Sequence, residues 1–128
     1  KIKKVKNFKK KIFLLHCVSS YPCLEDIVNL KKIDMLKKIT NNLGYSGHFN
    51  GIEDAIFSMT KGVKFIEKHF TIDNRLPGRD NKFAILPKQM KDLSDFRYKF
   101  EKMDIYKGLG VQKSELDIFK NYRGRWGK

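Results

Sequence analysis
The chain has 128 residues, with 28 Lys plus Arg against 14 Asp plus Glu, and a formal charge of +14. That length holds one domain with its own core, because chains of roughly 100–150 residues bury about two thirds of the surface they expose unfolded. A hydrophobic share of 41% and an aromatic share of 12% exclude a disordered chain, and no apolar run approaches a membrane span.

The first eleven residues carry seven lysines and no acid, half of the net charge. With Ile2, Val5 and Phe8 at every third position, this stretch is expected to be the solvated face of a helix. The alternative is a basic module binding nucleic acid or another polyanion, although no aromatic stacking platform interleaves with the lysines. There is no initiating Met, nor the apolar stretch and small-residue cleavage site of a secretory signal, so the sequence is expected to begin inside a longer chain. Cys17 and Cys23 are too few for a disulfide framework and are expected as reduced, inert thiols in a cytoplasmic protein.

Residues 12–18 form a continuous apolar run, the pattern of a strand buried on both faces of a parallel sheet. Residues 25–39 place Ile27, Leu30, Ile33 and Leu36 at helical spacing, with acids at the start and lysines at the end. Residues 43–48 form a second strand, weakened by Gly44 and Gly47. Ile52, Ala55, Ile56 and Met59 mark a second helix, which Gly62 closes. Residues 63–70 form a third strand, and a polar loop follows to about Leu86. A last helix starts at Pro87, a favourable first helical residue, and is expected to bury Leu93, Phe96, Phe100 and Met103.

Strand and helix in alternation predict an α/β fold of parallel β/α units. A complete eight-stranded barrel takes about 250 residues. The chain is therefore either a small open sheet or a portion of a TIM barrel, and the pattern leaves both open.

The polar chemistry gathers at strand ends, where parallel β/α folds bind their ligands. His48 follows the second strand, His69 ends the third, and Ser19 and Tyr21 follow the first. His48 and His69 are 21 residues apart, one β/α unit, which brings both imidazoles to one rim. Such a pair is either two hydrogen-bonded strand-end histidines or two ligands of a divalent metal with positions open to substrate. Period-two alternation sets Glu67 on the His69 face one layer deeper, where it orients a ligand or holds a proton. His16, inside an apolar strand, reads as a satisfied core histidine. Residues 76–81 read as a tight turn or as a loop holding a polar substrate.

Taken together, LLHCVSSYP (14–22), EDIVNL (25–30), GYSGH (44–48), GIE (51–53), VKFIEKHFT (63–71) and LPGRDNKFAILP (76–87) resemble the N-acetylneuraminate (sialic acid) synthase family. The likeness covers about residues 12–103, with LLHC-, YSDH-, GIE-, EKHFT- and GPDH-type motifs in order. It implies the C-terminal part of a catalytic TIM barrel, with residues 1–11 as a basic helix end and residues 104–128 as a basic tail suited to docking.

The activity implied is condensation of phosphoenolpyruvate with an N-acetylated amino sugar, giving a nonulosonate and phosphate. The resemblance also implies that His48 and His69 bind Mn2+ or Mg2+. It sets Ser46 near phosphoenolpyruvate, Ser19 and Tyr21 in the first substrate loop, and Asp80 on the sugar. Gly47, Phe49 and Asn81 depart from the family pattern, Gly47 and Asn81 standing where YSDH and GPDH carry Asp and His. These changes fall on the expected sugar side and leave the sugar open among N-acetylmannosamine, a phosphorylated form and a diacetamido sugar. Lysines for the phosphate are expected upstream of Lys1, so this chain alone is expected to be inactive and the full-length form to be a homodimer.

Overall fold
The structure is a computed structural model that describes residues 12–122 and Gly124. The expected lysine-rich helix and the end of the basic tail lie outside the described residues. Three strands, β1 (Leu14–Cys17), β2 (Leu43–Gly47) and β3 (Phe65–Lys68), form a parallel sheet in the order β1-β2-β3. Helix α1 (Lys31–Lys37) connects β1 to β2, and α2 (Glu53–Thr60) connects β2 to β3. Helix α3 (Pro87–Met103) and a short α4 (Leu116–Asn121) follow. Each connection is a parallel crossover, as the strand–helix alternation requires.

One expected helix is two pieces. Residues 25–39 form a 3-10 turn at Glu25–Ile27 and then α1, separated by Asn29 at φ 52°. Asn tolerates this left-handed conformation better than other residues with a Cβ. The break frees the Val28 carbonyl from helical pairing, and His16 Nε2 donates to it at 2.7 Å. His16 is thus a core histidine with one nitrogen satisfied, while its Nδ1 is buried without a partner.

The glycine-bearing strand is the central one, and all five of its residues are buried. Gly44 stands between Leu15 and Phe65 in register, where a Cβ would lie 2.8 Å from Leu15 Cγ. Close approach of neighbours, not strand propensity, accounts for glycine here. Gly62 closes α2 at φ 78°, as its position predicts.

Apolar side chains collect on one side of the sheet. Ile33, Leu43, Tyr45 and Val63 form one buried cluster, Ala55, Met59, Ile85 and Leu93 a second, and Ile66 packs against both. The opposite face carries Phe13, Leu15 and Phe65, which are 39%, 42% and 53% exposed. An open doubly wound sheet is covered by helices on both faces. Helices on one side of parallel strands are the arrangement of consecutive units in a (β/α)8 barrel, whose interior is the other face.

Pro87 opens α3, where Gln89 Oε1 accepts the Leu86 N–H at 2.9 Å. Leu93 is buried and Phe96 and Phe100 are half-buried, with stacked rings 6.0 Å apart. Met103 is 80% exposed, contrary to expectation, because the last turn of α3 runs beyond the core. No helix among the described residues is long and apolar enough to cross a membrane.

Candidate active site
The register that pairs Ser46 with Glu67 and Gly47 with Lys68 carries His48 and His69 off the same end of β2 and β3. Their ring centroids are 5.3 Å apart. Below them Ser46 Oγ donates to Glu67 Oε1 at 2.7 Å. These four residues, with Gly47 and Lys68, line a cavity of about 200 Å³.

His48 is buried and doubly anchored. Its Nδ1 lies 2.9 Å from the Val18 carbonyl, and its own carbonyl accepts the Cys23 N–H at 2.8 Å. A carbonyl only accepts, so Nδ1 carries the proton and Nε2 keeps a free lone pair. Tyr21 packs its ring 4.2 Å from that of His48 and 6.2 Å from that of His69.

The loop after β3 returns to its origin. Ile85 N–H donates to the His69 carbonyl at 2.8 Å and Thr71 N–H to the Ile85 carbonyl at 3.0 Å. Asn74 Nδ2 bonds the carbonyls of Asn81 and Ala84, and Asn81 Nδ2 those of Asp73 and Leu76. Thus locked, the loop holds Asp80 Oδ2 4.0 Å from His69 Nδ1 and the Phe83 ring 5.3 Å from the His69 ring.

Of the residues singled out from sequence, His48, His69, Ser46, Glu67, Tyr21 and Asp80 meet at this rim. Ser19 is exposed and makes none of these contacts. Both cysteines are free thiols, and burial, then the Asp54 carboxylate, push the Cys23 thiol above its ordinary value. Among the described residues no group of three or more His, Cys, Asp and Glu side chains is arranged to hold a metal ion. The donor chemistry nevertheless fits a divalent cation that takes two imidazoles from the protein and further oxygens from a substrate.

Behind the rim lies a polar network that sequence reading missed. Lys68 donates to Asp54 Oδ1 and Oδ2 at 3.1 and 3.2 Å, and Tyr45 Oη donates to Asp54 Oδ2 at 2.9 Å. The Lys68 and Asp54 side chains are 2% and 1% exposed. Burial pushes the Lys68 ammonium below its ordinary value against the pull of Asp54. Burial and then Asp54 push the Tyr45 hydroxyl up. The available signal was periodicity, since Lys68 shares the helix-covered face with Ile66, where a charge needs a partner. The space beside Gly47 is filled by the Asp54 carboxylate, since a Cβ on Gly47 would fall 2.3 Å from Asp54 Oδ2.

Parallel β/α units with helices on one face and a polar rim at the strand ends define a segment of a (β/α)8 barrel. Residues 2–107 match the NeuB family, and the chain belongs to it. It is 34% identical over 114 residues to the N,N'-diacetyllegionaminic acid synthase of Campylobacter jejuni, covering 88% of this chain and 33% of that one. It is 32% identical over 91 residues to human N-acetylneuraminate-9-phosphate synthase, covering 70% and 25%. The crystal structure of N-acetylneuraminic acid (sialic acid) synthetase from Leptospira borgpetersenii, in complex with citrate, superposes with a TM-score of 0.73 at 36% identity. That match covers 89% of this chain and 40% of the other. The chain thus spans between a quarter and two fifths of the length of these relatives.

Proposed function
We propose that this chain carries the rim of the active site of a nonulosonate synthase. The reaction joins phosphoenolpyruvate to an N-acetylated amino sugar, N-acetylmannosamine or a related sugar, and gives a sialic-acid-type 2-keto acid plus phosphate. C3 of phosphoenolpyruvate forms a bond to the sugar aldehyde carbon, water adds at C2, and the C2–O bond to phosphate breaks. Family membership and the names of the relatives support the reaction class. The observation that carries the reading is the pairing of His48 and His69 at adjacent strand ends, with His48 Nδ1 tied to the Val18 carbonyl.

On this reading His48 and His69 hold a Mn2+ or Mg2+ ion. When bound, the ion supplies positive charge beside the alkoxide that develops on the sugar and a shared point of alignment for both substrates. Glu67, which accepts a hydrogen bond from the Ser46 hydroxyl, is the catalytic carboxylate on the barrel-interior face, one layer below His69. Ser46 serves the phosphoenolpyruvate side, Ser19 contributes from the first substrate loop, Tyr21 closes over the imidazoles, and Asp80 accepts hydrogen bonds from the sugar. The full-length form works as a homodimer. The alternative of a polyanion-binding module rests on residues 1–11, which lie outside the described residues.

The test is a chimera in which residues 12–103 replace the matching segment of the C. jejuni relative, assayed for Mn2+-dependent phosphate release. Activity is expected, and His48→Ala or His69→Ala should lower it by about 10²–10³-fold. Full activity in either variant would overturn the reading.

A further inference from the structure
Lys68 and His69 are neighbours on the chain, yet their side chains leave β3 on opposite faces. The Lys68 side chain runs back among the helices, where its ammonium meets two acceptor groups, the Asp54 carboxylate and the Phe49 carbonyl at 2.8 Å. Phe49 directly follows His48. The ammonium therefore clamps the turn that presents the His48 imidazole, and Asp54, reaching in from α2, holds the ammonium. Tyr45, on the same strand as Ser46, fixes Asp54 in turn.

We infer that Lys68 and Asp54 are positioning residues for His48. Their buried pair fixes the backbone at residue 49. With the Cys23 N–H on the His48 carbonyl and the Val18 carbonyl on Nδ1, it keeps the ring in one orientation and one tautomer. The consequence for metal affinity rests on the proposed function; the effect on the ring does not.

The geometry also defines a rescue. Gly47 sits in β2 with ordinary strand backbone, and a Cβ there would lie 2.3 Å from Asp54 Oδ2 and 3.1 Å from Lys68 Cδ. The room beside Gly47 is thus filled by the Asp54 carboxylate. Once residue 54 is alanine, a carboxylate borne by residue 47 reaches the same ammonium, with the Tyr45 ring edge turned aside.

The experiment uses the chain with 15N-labelled histidine. Long-range 1H–15N spectra read the His48 tautomer, and Mn2+ affinity is read from the spin-resonance signal of the free ion. The unaltered chain should show a single Nδ1–H tautomer for His48. Asp54→Ala, and the shape-preserving Asp54→Asn, should give averaged tautomers and weaken Mn2+ binding by about tenfold. Gly47→Asp with Asp54→Ala should recover the single tautomer and bring affinity to within about threefold of the starting value. An unchanged tautomer in a folded Asp54→Asn chain overturns the inference, as does a folded double variant that recovers nothing. If His48→Ala and His69→Ala leave Mn2+ binding intact, the metal reading fails, and the tautomer alone decides whether the pair positions the ring.

Discussion

Adding one methyl group at each glycine of β2 should separate two kinds of close packing. At Gly44 a Cβ would meet Leu15 Cγ at 2.8 Å and the Phe65 carbonyl oxygen at 3.2 Å. Leu15 is 42% exposed and can swing away, and loss of the glycine lowers the entropy of the unfolded chain by a compensating amount. Gly44→Ala should therefore cost no more than about 1 kcal/mol. At Gly47 the Cβ would fall 2.3 Å from Asp54 Oδ2 and 2.6 Å from Tyr45 Cε1. Both neighbours are buried and tied to each other, so the carboxylate must withdraw from Lys68. Breaking a buried ion pair costs about 3–5 kcal/mol, and partial withdrawal should bring Gly47→Ala to about 3 kcal/mol. In an Asp54→Ala background the obstructing oxygen is gone and the Tyr45 ring, no longer held by Asp54, can turn from the new Cβ, so the same change should add about 1 kcal/mol, a coupling of about 2 kcal/mol. Urea unfolding followed by far-ultraviolet circular dichroism measures the four variants against the unaltered chain. Equal costs at Gly44 and Gly47, or additivity between Gly47→Ala and Asp54→Ala, would refute the packing described.

Ile33, fully buried between α1 and the sheet, should cost about 2–5 kcal/mol when cut to alanine, read from the same urea transitions. Asn81→Ala removes the two bonds that close the loop carrying Asp80, so exchange of the Leu76 amide, which donates to Asp73, should quicken by about tenfold in hydrogen-exchange spectra. The Lys61 ammonium, hydrogen-bonded to Asp34 at 2.7 Å, holds that carboxyl below its ordinary value. A carboxyl lowered on folding adds stability that is present above its unfolded value, about 4, and is lost as pH falls through the folded one. Asp34→Asn should therefore lower the thermal midpoint at neutral pH, and the two midpoints should converge once the pH has fallen well below the ordinary carboxylate value.

Strand and helix order is legible because apolar period is a local property of the chain. The pairing of His48 with His69 is legible for a related reason, since two parallel strands one β/α unit apart must deliver equivalent ends to one rim. Glu67 opposite Ser46 follows from alternation alone. The strength of β2 is not legible. Its glycines lower strand propensity, and their value lies in the room they give Leu15 and Asp54 from other elements. Asn29 reads as an ordinary helical residue until the Val28 carbonyl is seen to serve His16. Asp54 resembles any acid in a helix's first turn, and Lys68 any strand lysine, because their pairing depends on how α2 docks on β3. The exposure of Met103 depends on where the core ends, which helical spacing does not record.

The central claim is that His48 and His69 act as one divalent-cation site. Titrating Mn2+ into the chain and into His48→Ala, His69→Ala and the double variant, with the free-ion spin-resonance signal as readout, tests it most directly. One ion should bind per chain, with affinity lowered at least about tenfold by either single change and further, by less than the sum of the two, in the double variant. Binding that survives both substitutions at full affinity would contradict it.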